Sequence, residues 1–341
     1  MPAAAENVPT GTSLKNGTAA EAKVVLKPDA RTLAKVVKQS QTVPRPFPPS
    51  YHKGRPLIPI YDIPEDSPYS PEEIDARKKL AACFRLVDDH GWSQLIYNHI
   101  TMKIPGTNPP ELLINPFGLM YHEVTASSLV KITLDGQILD RGSTKYGFNR
   151  AGYVIHTALH EYRPDIYCTL HVHHSAVAGV SAMKEGLLPI NQEAMIIGPC
   201  SYVDYEVGIF DTDADKLCLK DVVQEDLKKK VLILKNHGAV SLGETVEEAW
   251  YLIYNLVIAA ETQVKTMASG SYIMPPAKCI KQAYDVIQHG ANNMDTGKDW
   301  EPYLFGEFEW ETWMRDLDSR GFVTGHVYQD YPKKASHKSS H

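Results

Sequence analysis

The sequence predicts a single mixed α/β domain, with helices layered on a mixed or antiparallel central sheet. Candidate strands and helices intermix along the chain, yet they lack the regular strand–helix–strand spacing of a doubly wound parallel sheet. Helix starts are written out in cap residues, so element types can be read locally. The 341 residues, 43% of them hydrophobic, suffice for one sizeable core with tails.

Taken in order, residues 1–55 are rich in Ala, Thr, Ser, Pro, Lys and Val, broken by Pro28 and proline-rich from Pro44 to Pro49. They read as a disordered arm. A transit peptide is the alternative, and two arginines against three acids in the first fifty residues weaken it. The folded domain is expected over 56–330, with a polar tail at 331–341. Ser70-Pro71-Glu72-Glu73 is a helix start, with serine at the cap, proline at the first position and glutamate three residues on. That helix should reach about Asp89 and stop before Gly91. Strands follow at Tyr97–Ile104 and Leu112–Asn115, then a hairpin turning at Asp135-Gly136. A helix from about Asn149 to Tyr162 precedes Arg163-Pro164, and strand 166–173 leads into a short helix from Ser175 to about Lys184. Strands near Ser201–Tyr205, Val231–Leu234 and Ala239–Leu242 flank a helix at 214–229. Glu244 opens a long helix to about Ala268, and helices near 277–289 and 301–319 close the chain.

Composition excludes several function classes. A net charge of −6 and a pI near 6.2 argue against a nucleic-acid partner. The chain has no run of 18 apolar residues, so no membrane span is expected. Its amino terminus lacks a charged start followed by an apolar core, which argues against secretion. Five scattered cysteines without a CxxC pair read as reduced thiols, and the expected location is cytoplasmic.

The chemistry concentrates in histidines. His171 and His173, in Tyr167-Cys-Thr-Leu-His-Val-His-His174, leave the same face of an extended strand. His237 ends a second apolar run, Val231-Leu-Ile-Leu-Lys-Asn-His-Gly-Ala-Val240. A lone histidine at a strand end is ordinarily a satisfied polar residue. Two strands in one sheet would instead bring three imidazoles together, the ligand set of a catalytic zinc or iron site with positions left open for substrate.

These residues carry a family resemblance. His171-Val-His173 with Asn236-His237-Gly238, Arg163-Pro164-Asp165, Asn98, and the Asn115-Pro-Phe-Gly118 turn resemble the class II aldolase/adducin family. Ala178-Gly-Val-Ser-Ala-Met-Lys-Glu-Gly-Leu-Leu-Pro189, Val246-Glu-Glu-Ala249 and Met314-Arg-Asp-Leu-Asp-Ser-Arg-Gly-Phe-Val-Thr-Gly325 look most like the adducin head. The resemblance spans about 75–330. It implies a three-layer αβα fold, usually a homotetramer with its site near a subunit boundary. It also implies one divalent metal on His171, His173 and His237, with zinc first and iron or manganese as alternatives. Asn98, Asn115 and the backbone at Gly118 would face an anionic substrate group. Aldolases of the family carry a glutamate acid/base one helical turn before the histidine matched by His156. Here that position is Gly152, and the serine pair before it is Arg150-Ala151.

Two functions are therefore expected. One is a metal-dependent lyase, aldol-type or decarboxylating, acting on a small oxygenated acid. Decarboxylation needs no base to deprotonate a hydroxyl, which suits the missing glutamate. Glu193 is the candidate proton donor and Arg150 a partner for the substrate carboxylate. The other is an adducin-like oligomeric scaffold on the actin cytoskeleton. The adducins engage actin through a long lysine-rich tail, and the short ending after Tyr331 tilts the expectation towards an enzyme. The remaining histidines get plainer readings. His156 packs behind the site, His160 faces solvent, His174 points away, and His99 and His122 are incidental. Tyr328 is a candidate for reaching a neighbouring subunit.

Overall fold

Ser70 caps the first helix as the sequence predicts. Its side chain accepts the Glu73 amide at 3.2 Å, and Pro71 opens helix α1, Pro71–Asp89. The computed structural model describes residues 57–204, 213–288 and 304–328. The expected arm and polar tail fall outside them.

Among the described residues, eight strands form one sheet: β1 His99–Lys103, β2 Glu111–Ile114, β3 Val130–Thr133, β4 Ile138–Asp140, β5 Cys168–Val172, β6 Ser201–Val203, β7 Val231–Leu234 and β8 Gly238–Gly243. Their order is β4-β3-β2-β1-β5-β8-β7-β6. Every pairing is antiparallel except β6 with β7. The remaining helices are α2 Arg150–Tyr162, α3 Ser175–Ser181, α4 Gln192–Ile197, α5 Asp213–Gln224, α6 Val246–Met267, α7 Ala277–Ile287 and α8 Glu307–Ser319.

Strand alternation divides the core in two. Ile100, Met102, Cys168, Leu170, Val172, Ile233 and Ala239 pack on one face beneath α1, α3, α6 and α8. Leu232, Leu234, Val240 and Leu242 face the other way, against Ile155 and Leu159 of α2 and Leu219 and Val223 of α5. Helices thus cover both faces of a mixed sheet, the three-layer αβα arrangement expected from the sequence.

Differences are local. The short helix α4 has no counterpart in the sequence reading, because six residues are too few to show a period. Asn191 caps it, accepting the Ala194 amide at 2.9 Å. The long helix starts at Val246 rather than Glu244, because Thr245 is its cap and accepts from the Glu248 amide. Two buried arginines tie the layers together. Arg77 of α1 is fully buried and binds Glu73, Asp140 and the Leu129 carbonyl. Arg163 grips Asp165 through both arms of its guanidinium, at 2.9 and 2.7 Å, and donates to the Leu227 carbonyl. The Arg163-Pro164-Asp165 turn therefore pins the entry to β5.

Candidate metal centre

β5 reads Cys-Thr-Leu-His-Val, and its apolar residues belong to the α1/α6 face. Thr169 and His171 consequently point to the α2 face. β1 obeys the same parity, with His99 directly opposite His171 and Thr101 opposite Thr169. His156 and His160, one turn apart on α2, look down on this polar stripe and are buried.

His171 is buried and His173 follows one residue beyond the strand. His237 arrives from the tight β7–β8 turn. Asn236 takes the left-handed backbone there, with φ +57°. A Cβ on Gly238 would lie 2.6 Å from the Val172 carbonyl oxygen, so only glycine lets the two strand ends approach this closely. The Asn-His-Gly sequence is thus the means by which His237 reaches His173.

The three ring nitrogens converge. His171 Nε2 lies 2.6 Å from His173 Nε2, which lies 2.8 Å from His237 Nε2. The far side of two rings is fixed by acceptors. His171 Nδ1 donates to the Ala239 carbonyl at 3.0 Å, and His173 Nδ1 donates to Gln94 Oε1 at 2.7 Å. Both therefore aim an unprotonated Nε2 into the centre. Burial and the neighbouring imidazoles push His171 well below the usual histidine range. Burial, then His237, brings His173 down to about 4, and burial lowers His237 as well. Neutral imidazoles with lone pairs facing one another at these distances repel unless a cation sits between them. Three such donors suit zinc or iron. The donor set fits a divalent ion.

His99 was expected to be incidental; it lies buried at the start of β1, within the strand the sequence predicts. Its ring stacks on His171 with centroids 5.0 Å apart, and its Nδ1 is 2.7 Å from His156 Nε2. A Cβ on Gly152 would fall 2.0 Å from the Cδ2 and Nε2 atoms of that ring. His160, expected in solvent, is buried and within 2.9 Å of Thr101 Oγ1. It sits on the same α2 face as His156, over polar strand residues that sequence alone does not pair. His156 packs behind the site as expected, and His174 instead caps α3, 3.5 Å from Glu261.

The other expected site residues are spread out. Asn98 has the parity opposite to His99, and its amide donates to the Trp92 carbonyl, turned from the histidines. Asn115 is buried, and Gly118 is exposed beside Tyr146. Asn98 and Asn115 each keep a buried amide oxygen with no partner among the described residues. Arg150 is exposed at the start of α2. Glu193 lies half-buried in the first turn of α4, its charge felt by the Tyr251 phenol. The hydroxyl of Tyr328 binds Asp318 of its own chain at 2.5 Å. Sequence reasoning missed Gln94 and His99. Gln94 carries no local signal, being 79 residues from its partner. His99 was legible in the parity of β1 once its register to β5 was known.

The family model for the class II aldolase and adducin N-terminal domain matches residues 78–264. Alpha-adducin of Rattus norvegicus is 45% identical over 285 residues, covering 81% of this chain and 37% of that protein. Adducin-related protein 1 of Caenorhabditis elegans is 41% identical over 281 residues, with coverages of 81% and 37%. The chain thus spans little more than a third of the length of these relatives. Among solved structures, an aldolase II superfamily protein from Pseudomonas syringae superposes with a TM-score of 0.65 at 34% identity, over 76% of this chain and 98% of its own. L-fuculose 1-phosphate aldolase from Glaciozyma antarctica shares the fold, with a TM-score of 0.62 at 21% identity over 76% of this chain and 94% of its own. With its histidines converging as they do on an αβα sheet, the chain belongs to the class II aldolase and adducin N-terminal domain family.

Proposed function

We propose that this domain is a metal-dependent lyase, cleaving a C–C bond of a small oxygenated acid by an aldol-type or decarboxylating reaction. The observation that carries the reading is the convergence of three neutral imidazoles, two of them aimed by hydrogen bonds from behind. His171, His173 and His237 would hold one divalent ion, zinc first, with iron or manganese as alternatives. Such an ion supplies positive charge that stabilises an enolate or carboxylate oxygen. The protein's part is orientation. The Ala239 carbonyl and Gln94 keep two rings in one tautomer. Glu193 and Arg150 remain candidates for proton donor and carboxylate partner.

Elemental analysis of protein purified without added metal tests the reading, with His171→Ala/His173→Ala as control. Near one metal per chain, lost in the control, is the expected result and opens a screen of hydroxy and keto acids. No metal in the wild type after supplementation would defeat it.

A second reading has its own support. The likeness to the adducins at up to 45% identity, together with Gly152, favours an oligomeric scaffold of the actin cytoskeleton. Cosedimentation with actin filaments at micromolar protein tests it, and absence of binding would count against it. A homotetramer, expected from the family, is checked by light scattering. No described helix is long and apolar enough to cross a membrane, and the expected location is the cytoplasm.

A further inference from the structure

Behind the three histidines lies a second polar cluster that the reading above does not use. His99, Thr101, His156, His160 and Thr169 are all buried and form one hydrogen-bonded chain between β1, β5 and α2. Its protons can be placed in turn, because one end is a backbone carbonyl. A carbonyl oxygen only accepts, so His160 Nδ1, 3.3 Å from the Ile166 oxygen, carries a proton. Burial this complete keeps the imidazole neutral. His160 Nε2 is then a lone pair, and Thr101 Oγ1 donates to it at 2.9 Å.

A hydroxyl has a single proton. Thr101 must therefore accept at its two other contacts, from Thr169 Oγ1 and from His156 Nδ1, each at 2.8 Å. Thr169, having spent its proton on Thr101, likewise accepts from His156 Nδ1 at 2.5 Å. His156 is thus the Nδ1–H tautomer, and its Nε2 accepts from His99 Nδ1 at 2.7 Å. Neutral His99 is left with a lone pair on Nε2, for which the described residues offer no donor. The order runs head to tail, each group donating onward, and such chains strengthen cooperatively. The Cδ2–Nε2 side of the ring packs against Gly152, where a Cβ would leave it no room, and the ring is stacked on His171.

We infer that His99 is a ligand-contacting residue, holding out a fixed acceptor to a hydroxyl of the bound molecule. The inference rests on the reading that the histidine site takes a small oxygenated acid, and it narrows that class to hydroxy acids. A keto or deoxy counterpart offers no proton at that point, so the site discriminates against it. Thr101, Thr169, His156 and His160 are positioning residues that act through His99.

Side-chain nitrogen NMR of the zinc-loaded full chain, with 15N-labelled histidine assigned by His99→Gln, tests this. Without ligand, His99 is expected to show a protonated Nδ1 and an unprotonated Nε2; a protonated Nε2 would overturn the inference. No variant is needed for that result. Glycolate and acetate carry the same charge and differ by one hydroxyl. Glycolate is expected to bind roughly fivefold or more tightly, as one hydrogen bond would give, and to shift the His99 Nε2 signal. Thr101→Val, which breaks the chain, should bring the two acids to parity. Glycolate that binds without moving His99 sinks the role of His99 and leaves the acid-binding reading standing. Failure of both acids to bind sinks the acid-binding reading and the ligand role together, while the spectrum without ligand still decides the tautomer.

Discussion

Gly152 and His99 share one volume: a Cβ at position 152 would stand 2.0 Å from the imidazole edge. The helix residue and the strand residue are therefore not independent choices. Gly152→Ala gains helix propensity but forces the ring aside, and overpacking of this kind costs about 1–3 kcal/mol. In His99→Ala the room is already cleared. The double variant is expected to be more stable than the sum of the singles predicts, by more than about 0.5 kcal/mol. Urea unfolding of the four proteins measures the coupling, and strict additivity would show that the two positions do not compete.

Gln94 holds His173 from behind, so its loss should be felt at the metal and not in the fold. On the proposed metal reading, Gln94→Ala is expected to weaken binding of added zinc by about 10–100-fold, the usual effect of removing a group that orients a ligand. Competition against a chelator reads the affinity. Unchanged affinity would mean that His173 needs no help to face its neighbours.

His160 gives the molecule a pH dependence of known sign. Burial, with Lys103 nearby, drives its folded value down to about 3, well below the usual histidine value of about 6.5. Between these values the unfolded chain binds a proton that the folded chain refuses. The stabilisation is fully present above the unfolded value and is lost as the pH falls towards the folded one. His160→Gln should flatten the stability curve in that window by up to about 1.4 kcal/mol per pH unit. Denaturant titrations at several pH values provide the two slopes, and parallel curves would refute the assignment.

Arg77 joins α1 to the β3–β4 edge from a fully buried position. Arg77→Ala leaves Glu73 with Lys131 as its remaining partner and takes the guanidinium from the Ala126 and Leu129 carbonyls. The expected loss is about 3–5 kcal/mol, with a smaller loss for Arg77→Met, which refills the space. Thermal unfolding ranks the two, and an alanine variant as stable as the methionine one would show that charge satisfaction is not what Arg77 supplies.

How far the sequence could be read follows from the range of each signal. Caps and periodicity are local, so Ser70, the hairpin at Asp135-Gly136 and the boundaries of α1 and β7 were visible. The i, i+2 spacing of His171 and His173 is local too, and the Asn-His-Gly turn announces a close approach. What stayed hidden depends on register. Nothing near His99 says that it lies opposite His171, and one residue of parity separates it from Asn98, the residue first expected at the ligand. His160 was misplaced for a related reason. A histidine on a helix looks solvated until the strand residues beneath it are known to be threonines.

The meeting of His173 with His237 spans 64 residues, and that of His173 with Gln94 spans 79. Neither can occur until β5 has paired with β8 and the loop before β1 has settled. Closing such long loops comes late, because their entropy must be met before the contacts return anything. During refolding the imidazoles would therefore remain apart while helices such as α6 are already formed. An ion that binds only their assembled arrangement draws the population towards the finished fold by mass action. It would slow unfolding more than it speeds folding, so occupancy of the centre would serve as a clock for the last step of the chain's assembly.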